Sequence, residues 1–110
     1  MSATAARIRK FNDQFRFTLQ GGKVYMTAGV DALAPDVKAR ALMAVRTFDA
    51  FTSDNDPHRE HDFGAFTLDG HKLFWKIDYF DKRDPDVGAE DPSNASTTER
   101  VLTLMLADEY

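Results

Sequence analysis

The segment best suited to chemistry is NDPHREHDFG, residues 55–64. It places the imidazoles of His58 and His61 among three carboxylates. Neutral imidazoles and carboxylates are common ligands of zinc, manganese and iron, and a histidine can also transfer protons near neutral pH. A three-residue spacing directs both rings the same way only on a helix, and Pro57 with the turn formers before it disfavours a helix here.

Three interpretations of this segment are open. A metal centre would take His61, Asp62 and Asp78 as ligands, the last of them from the strand that follows. An acid–base site would use Glu60, His61 and Lys76. In a purely structural loop, an Asn or Asp side chain caps a turn and a carboxylate holds an imidazole by a hydrogen bond.

The strand predicted over WKIDYFD, residues 75–81, adds a second polar group. Alternation divides its side chains between two faces: Lys76, Asp78 and Phe80 on one, and Trp75, Ile77 and Tyr79 on the other. The lysine and aspartate form either a site with perturbed pKa values or an ordinary ion pair on an exposed sheet face, and we favour the ion pair. Since this hairpin begins directly after NDPHREHDFG, Asp78 and Asp81 would lie near that segment.

Two amphipathic helices are predicted to support these residues. The first covers residues 2–15, with Ser2 as N-cap and apolar residues at i, i+3 and i+7 from Ile8. The second covers residues 35–51, where Pro35 suits the first helical turn.

Two β-hairpins are predicted from alternating apolar residues around tight turns. One spans residues 15–27 around Gly21 and Gly22. The other spans residues 63–80 around the Asp-Gly pair at 69–70, which is a strong two-residue turn signal. The Asp- and Pro-rich residues 81–97 are predicted to form a loop.

The C-terminal segment RVLTLML, residues 100–106, has two interpretations. Ser96 and Glu99 have the spacing of a helix capping box, whereas apolar residues at both odd and even positions are typical of a buried strand. We favour the strand. The sequence then predicts an α+β fold, with an antiparallel sheet of two hairpins, a possible fifth strand, and one or two helices packed on one face.

The overall composition limits the class of protein. The chain has 110 residues, 43% of them hydrophobic, which suits a single domain over residues 1–110 with a substantial core. It has no cysteine, so disulfides and thiolate metal sites are excluded. No apolar run has the length of a signal-peptide core or a membrane span, so we expect a cytoplasmic protein without membrane contact.

The net charge of −4 is unevenly distributed. Residues 1–46 hold 8 basic and 3 acidic residues, a balance of +5, and residues 47–110 hold 6 basic and 15 acidic residues, a balance of −9. Either the fold separates a basic from an acidic face, or the two halves interleave and pair their charges. Basic residues alternate with phenylalanines near the N-terminus, but these aromatics keep core spacing and the net charge is negative, so nucleic-acid binding is not expected.

Blocks along nearly the whole chain resemble a small bacterial family known only as a domain of unknown function, number 3768. The blocks are ND at 12–13, GG at 21–22, TAGV at 27–30, FDAF at 48–51, NDPHREHDFG, WKIDYFD, DP at 91–92 and RVLTLMLADEY at the end. The resemblance places the family signature, which leaves out His58, on Asn55, Asp56, Pro57, Glu60, His61, Asp62, Phe63, Gly64, Trp75, Lys76, Asp78, Tyr79 and Asp81.

Two positions depart from the family pattern. Arg59 stands where the family often has Gly, which suggests an ordinary backbone there, and Phe80 stands where a second Tyr is common, which argues against an essential hydroxyl. The resemblance implies no activity. The family's members look like passengers of plasmids, phages and other mobile elements, which implies accessory or anti-defence roles, including inhibition of host nucleases or CRISPR complexes.

Two function classes follow. The first is a small non-enzymatic binding protein of mobile elements, such as an anti-CRISPR-like inhibitor, which needs no cofactor and contacts a partner protein with a basic surface. The carboxylates assigned to its binding surface are Asp54, Asp56, Glu60, Asp62, Asp78, Asp81, Asp84, Asp86, Glu90 and Asp91. The alternative is a hydrolase that holds a divalent metal at residues 60–62 together with Asp78.

Overall fold

Helices and strands are distributed along the whole of residues 3–110, the part of the chain that the computed structural model describes. The helices are α1 (Ala3–Thr18), α2 (Ala28–Asp31), α3 (Pro35–Arg46) and a 3-10 turn at Ala107–Glu109, and the strands are β1 (Gly22–Met26), β2 (Phe63–Leu68), β3 (His71–Asp81), β4 (Asp84–Gly88) and β5 (Thr98–Leu106). The predicted N-cap, Ser2, lies outside the described residues. Within residues 3–110, no helix has the length and apolar character needed to cross a bilayer.

The five strands form one mixed sheet. Its order is β1-β5-β3-β2, and β4 pairs with the end of β3. β1 runs parallel to β5, while the pairs β2–β3, β3–β4 and β3–β5 are antiparallel. The α+β class is therefore confirmed. The expected fully antiparallel sheet is wrong, because β1 pairs with the last strand of the chain.

The hairpin predicted over residues 15–27 does not form. Its first half is the last turn of α1, which is followed by Leu19 in a left-handed conformation with φ of +59°. Phe15 is buried and Phe17 is 61% exposed. The spacing of Phe15 from the buried Ile8 continues the helical stripe, so the alternation of Phe15, Phe17 and Leu19 was misleading.

The hairpin around Asp69 and Gly70 is confirmed. β2 and β3 pair along the whole length of β2. Asp69 and Gly70 have φ of +50° and +80°, the left-handed conformation at both central residues that a type I′ turn requires. Arg40 of α3 forms an ion pair with Asp69, which ties this turn to the helical layer.

The C-terminal segment forms β5, so the strand interpretation is confirmed. β5 lies between β1 and β3, which explains why side chains of both parities are buried, with Leu104 fully buried and the adjacent Met105 3% exposed. The alternative capping box does not form, because the Ser96 hydroxyl donates to Oδ1 of Asn94 at 2.7 Å and Glu99 already lies within the strand.

Two predicted boundaries are corrected. α3 ends at Arg46 and not at residue 51, and the phenylalanines beyond it fold back onto the sheet. The rings of Phe48 and Phe51 meet Trp75 edge to face, with centroids 5.6 and 6.1 Å from the indole. Part of the predicted Asp-rich loop forms β4, because a turn after Asp81 returns the chain along the end of β3.

One hydrophobic core lies between the helices and one face of the sheet. Its buried residues come from all three helices and from the two central strands: Phe15, Val30, Ala41, Val45, Leu73, Trp75, Ile77, Leu102 and Leu104. Because α1, α2 and α3 all contribute to this cluster, the prediction of helices packed on one face is confirmed. The opposite face of the sheet has no covering α-helix among residues 3–110.

Candidate functional site

Residues 55–62, the polar loop, wind around the side chain of Asp56. Its Oδ1 accepts the backbone N–H groups of Glu60 and His61, each at 3.1 Å. Arg59 and His61 have φ of +58° and +55°, so the loop holds two residues in the left-handed region. Glycine reaches this region without strain whereas arginine does not, so the expectation of an ordinary backbone at Arg59 is corrected.

Asp56 is a structural residue. It is only 4% exposed, which corrects its assignment to a partner-binding surface. Neighbouring Asn55 has a similar role, since its side chain accepts the N–H of Thr52 at 2.8 Å and donates to the carbonyl of Ala50 at 2.9 Å. The expectation that Asn or Asp side chains cap turns in this segment is confirmed.

His61 joins the polar loop to α1. Its Nδ1 lies 2.8 Å from Oδ1 of Asp13, and its Nε2 lies 3.7 Å from Oδ2 of Asp56. The ring stacks on Phe51, with centroids 3.7 Å apart and planes inclined by 4°. A carboxylate on each side fixes the orientation of the imidazole. His58 is exposed, so the two imidazoles have different environments.

Arg16 extends this connection to the end of α3. Its Nη1 donates to the carbonyls of Val45 and Phe48 at 2.8 and 2.7 Å, and its Nη2 lies 3.2 Å from Oδ1 of Asp13. The guanidinium also lies over the ring of Phe51, 5.3 Å from the centroid. One buried cation therefore satisfies open carbonyls at the C-terminal end of α3 and supports the ring on which the imidazole stacks.

A second connection runs from β5 through α1 to the polar loop. Nε of Arg100 donates to Oδ1 of Asn12 at 2.7 Å, and Nδ2 of Asn12 donates to the Tyr79 hydroxyl at 2.7 Å. Nδ2 of Asn12 also donates to the backbone oxygen of Glu60 at 2.9 Å, and the Tyr79 hydroxyl donates to Oε1 of Glu60 at 2.9 Å. These bonds run in one direction, from a buried cation to a carboxylate, so each polarises the next.

Burial makes two side chains at this network weaker acids. It raises the pKa of the Tyr79 phenol, and the neighbouring charges of Glu60 and Asp62 raise it further. Burial also raises the pKa of the Asp62 carboxyl, with the charge of Glu60 as the next cause. Folding therefore shifts the protonation balance of both groups towards the neutral form.

Replacing Tyr79 by Phe is expected to lower the free energy of unfolding at pH 7 by about 1–2 kcal/mol, because Asn12 and Glu60 each lose a partner. The raised pKa of Tyr79 means that the folded protein keeps a proton that the unfolded chain releases. This contribution is complete below the unfolded pKa of about 10 and is lost as the pH rises above it. Urea titrations at pH values from 7 to 11 should therefore show a smaller alkaline loss of stability in the variant.

The matched control is Phe80→Tyr, which adds a hydroxyl on the opposite face of β3. It should change neither the stability at pH 7 nor its alkaline dependence. An unchanged stability of Tyr79→Phe would contradict the role assigned to this network.

Asp62 is expected to destabilise the folded protein at neutral pH. Since its pKa is raised on folding, its favourable contribution is present below the unfolded pKa of about 4 and is lost as the pH rises through the folded value. Asp62→Asn should therefore raise the stability at pH 7, by less than about 1 kcal/mol given solvent screening, and leave it unchanged at pH 3. Thermal unfolding at the two pH values measures this, and a loss of stability at pH 7 would show that the carboxylate makes a favourable contact.

The metal ligands and acid–base residues predicted from the sequence are not brought together. Lys76 and Asp78 lie on the face of β3 opposite Tyr79, where Nζ and Oδ2 form an ion pair of 3.1 Å. His61 contacts α1 on the helical side of the sheet. Among residues 3–110, no three His, Asp or Glu side chains are grouped to hold a metal ion. The ion-pair interpretation is confirmed, and the predicted combination of Asp78 or Lys76 with His61 is corrected.

Sequence reasoning from the motifs did not assign roles to four side chains of these networks: Asn12, Asp13, Arg16 and Arg100. A signal existed for two of them. Asn12 and Arg16 are four and eight residues after the buried Ile8, so they are polar residues on the apolar stripe of α1. The roles of Asp13 and Arg100 depend on which elements become neighbours, and no local pattern indicates them.

Glu109 connects two other blocks of the family resemblance. Its carboxylate accepts the Thr27 hydroxyl at 2.6 Å and the backbone N–H groups of Gly29 and Leu106, each at 2.9 Å. The TAGV block, which forms the start of α2, and the ADEY block, residues 107–110, are therefore in contact through Glu109.

The exposed carboxylates concentrate on residues 81–91, the acidic hairpin. This segment contains five carboxylates and two cations. The exposed members of the predicted binding set are Asp54, Asp84, Asp86, Glu90 and Asp91. Elsewhere basic residues of the first half of the chain pair with acidic residues of the second half, as Arg40 does with Asp69 and Lys23 with Glu99. The prediction that the two halves interleave and pair their charges is confirmed for these residues.

The fold and the site define a small α+β domain whose polar loop is fastened to its first helix. The model of a family described as "Protein of unknown function (DUF3768)" matches residues 26–109, and the chain belongs to this family. α1 precedes the matched region. The contacts that Asn12 and Asp13 make with the polar loop therefore come from outside that region. Searches of curated proteins and of solved structures found no match.

Proposed function

We propose that this chain is a small non-enzymatic binding protein that docks its acidic hairpin on a basic surface of a partner protein. The contrast between two polar regions carries the proposal. In the polar loop, Asp56, Glu60 and His61 are occupied by contacts within the chain. In the acidic hairpin, every residue of β4 is exposed, and its carboxylates are open to a partner.

The charge and shape of the acidic hairpin suit a basic protein surface. A net charge of −3 within residues 81–91 attracts such a surface over a distance and favours the correct orientation of encounter. Val87, 49% exposed between these charges, offers an apolar contact at the centre of the hairpin. An interface of charged rim and apolar centre is common in protein complexes.

We further propose that the protein is a cytoplasmic accessory factor of mobile elements that inhibits a host defence complex, in the manner of an anti-CRISPR. Complexes that bind nucleic acid do so through basic grooves that neutralise phosphates. An acidic hairpin occupying such a groove would use the same charge complementarity and would need no cofactor. Inhibition of this kind needs a complementary surface and no catalytic geometry.

Neutralising the acidic hairpin is expected to weaken partner binding. With tagged protein in host lysate, Asp84→Asn combined with Asp86→Asn and Glu90→Gln should reduce the amount of the partner captured about tenfold, a loss of about 1.4 kcal/mol. Raising the salt from about 0.05 to 0.5 M should weaken capture by the unmodified protein and change capture by the variant much less.

A matched variant neutralises three exposed carboxylates elsewhere, with Asp31→Asn, Asp36→Asn and Asp108→Asn. It changes the net charge equally and should keep full capture. Equal losses from both variants would mean that net charge decides binding, which would contradict a specific role for the acidic hairpin. Loss of capture on chelation of divalent ions would contradict the proposal and favour the metal-dependent hydrolase.

A further inference from the structure

The sheet face opposite the helices, the open face, carries an extended apolar surface. Alternate residues of four strands contribute to it, two from β1, three from β2, five from β3 and four from β5, which with Tyr110 make fifteen side chains. Its apolar members include Tyr25, Phe63, Phe74, Phe80, Val101 and Tyr110. Eight of the fifteen are apolar, five of them aromatic, and seven are polar or charged. A solvated face of a sheet normally carries polar residues, so this number of aromatic residues indicates a surface that another layer covers.

Three of the five aromatic residues of the open face form a connected cluster. The rings of Phe63 and Phe74 lie 5.3 Å apart, and Tyr110 packs edge to face on both, at 6.1 and 5.5 Å. Tyr110 is 75% exposed and Tyr25 is 52% exposed, so both present ring surface to solvent. Aromatic clusters of this kind provide much of the binding energy in protein interfaces.

We propose that the open face is the interface of a homodimer, in which two sheets stack face to face. The arrangement of charge favours a second copy of the chain. Lys72 lies at one end of the open face, and Glu99 lies at the other end, opposite Phe80 in the register of β3 and β5. There Oε1 of Glu99 already lies 3.9 Å from Nζ of Lys23 in the same chain, so Lys72 of a second copy would be its second cation. Lys76 and Asp78, between these ends, form an ion pair that is neutral as a unit.

A two-fold axis that lies in the interface and crosses the strands exchanges the two ends of the open face. Lys72 of each copy then meets Glu99 of the other, and the aromatic clusters face each other across about 10 Å, the usual separation of stacked sheets. The same surface is therefore complementary to itself, as an isologous dimer requires. A strongly basic or acidic partner would find no such match on this nearly balanced face.

The size of the open face predicts a weak dimer. Met105 is only 3% exposed, which leaves fourteen residues of the open face for a contact. Specific interfaces use about 20–30 residues and about 800 Å² on each partner, so these residues correspond to about 400–550 Å² per copy. The two copies together would bury about 800–1,100 Å², which is near the lower limit for a specific interface. We therefore expect a dissociation constant in the micromolar range, about 1–100 µM.

Sedimentation equilibrium from about 5 µM to 1 mM protein tests the proposal over this range. The average mass should rise from 12.4 kDa towards twice that value. Ala65→Glu places a charge on an exposed position of β2 beside Phe74 and should abolish the rise. Ala39→Glu, the same change on an exposed position of α3, should leave it intact. Circular dichroism should show that both variants remain folded.

A constant mass of 12.4 kDa for the unmodified protein over the whole range would overturn the dimer. Association that survives Ala65→Glu, or that Ala39→Glu also abolishes, would place it on another surface and overturn the proposal equally. The proposed orientation predicts that Lys72→Glu and Glu99→Lys each weaken the dimer about fivefold and that the double variant restores it. These results do not depend on the acidic hairpin having a partner.

Discussion

Replacement of Arg16 by Ala is expected to lower the free energy of unfolding by about 3–5 kcal/mol, a large part of the stability of a domain of this size. Arg16 is 5% exposed, and its Nη1 donates to the carbonyls of Val45 and Phe48. Alanine leaves both carbonyls without this donor and opens a cavity between the rings of Phe51 and Trp75, which lie 5.3 and 5.1 Å from the guanidinium carbon.

Urea unfolding followed by the fluorescence of Trp75 measures this loss. Arg16→Lys should recover only a small part of it, because an ammonium group cannot reproduce the planar fork that reaches carbonyls and carboxylate together. Arg40→Ala is the matched control, since Arg40 also forms ion pairs, with Asp36 and Asp69, but is half exposed. Its unfolding midpoint should hardly change, and a loss at Arg40 as large as that at Arg16 would contradict the importance of burial.

Gly64→Ala is expected to destabilise the fold by about 3 kcal/mol, through overpacking of the core. A Cβ at this position would lie 2.3 Å from Nε1 of Trp75 and 2.9 Å from Cε1 of Phe48. Trp75 has no exposed surface and is enclosed by the helices, so the indole cannot move aside without shifting the whole aromatic cluster. The glycine of the EHDFG block is therefore explained by packing against the tryptophan of the WKIDY block.

The control for this substitution is Gly88→Ala at the end of β4. The nearest atom to a Cβ there is the backbone oxygen of Tyr79 at 3.9 Å, which is ordinary contact. Its effect should stay within about 0.5 kcal/mol. Near-ultraviolet circular dichroism of Trp75 should change in Gly64→Ala only, and an unaltered spectrum with unaltered stability would show that the core accommodates the methyl group.

Much of the fold could be predicted where a local pattern and its tertiary environment agree. Asp69 and Gly70 define a turn by their own backbone preferences. α3 has a proline in its first turn and apolar residues at helical spacing. β5 has apolar residues on both faces because it is central. The prediction of a hairpin at residues 15–27 was wrong. Phe15, Phe17 and Leu19 alternate as in a strand, but Phe15 also has helical spacing from Ile8, and burial of Phe15 in the core favours the helix.

The candidate site shows the same division. The turn chemistry of Asn55 and Asp56 was predictable, since it depends on hydrogen bonds to residues within five positions. The partners of His61 and Glu60 were not, because Asp13 and Asn12 lie 48 residues away along the chain. Asp78 was placed beside His61 by sequence proximity, whereas strand alternation in the folded sheet directs it to the open face.

Local patterns in the sequence were enough to predict the α+β class, the β2–β3 hairpin and the position of the polar loop before that hairpin, and its motifs were enough to recognise the family. These features depend on side-chain type and on backbone preferences that act over a few residues. The tertiary structure alone decided the parallel pairing of β1 with β5, the attachment of the polar loop to α1 and the uncovered face of the sheet. Contacts between distant segments are selected by the total area buried and the polar groups satisfied, and no short pattern encodes that sum.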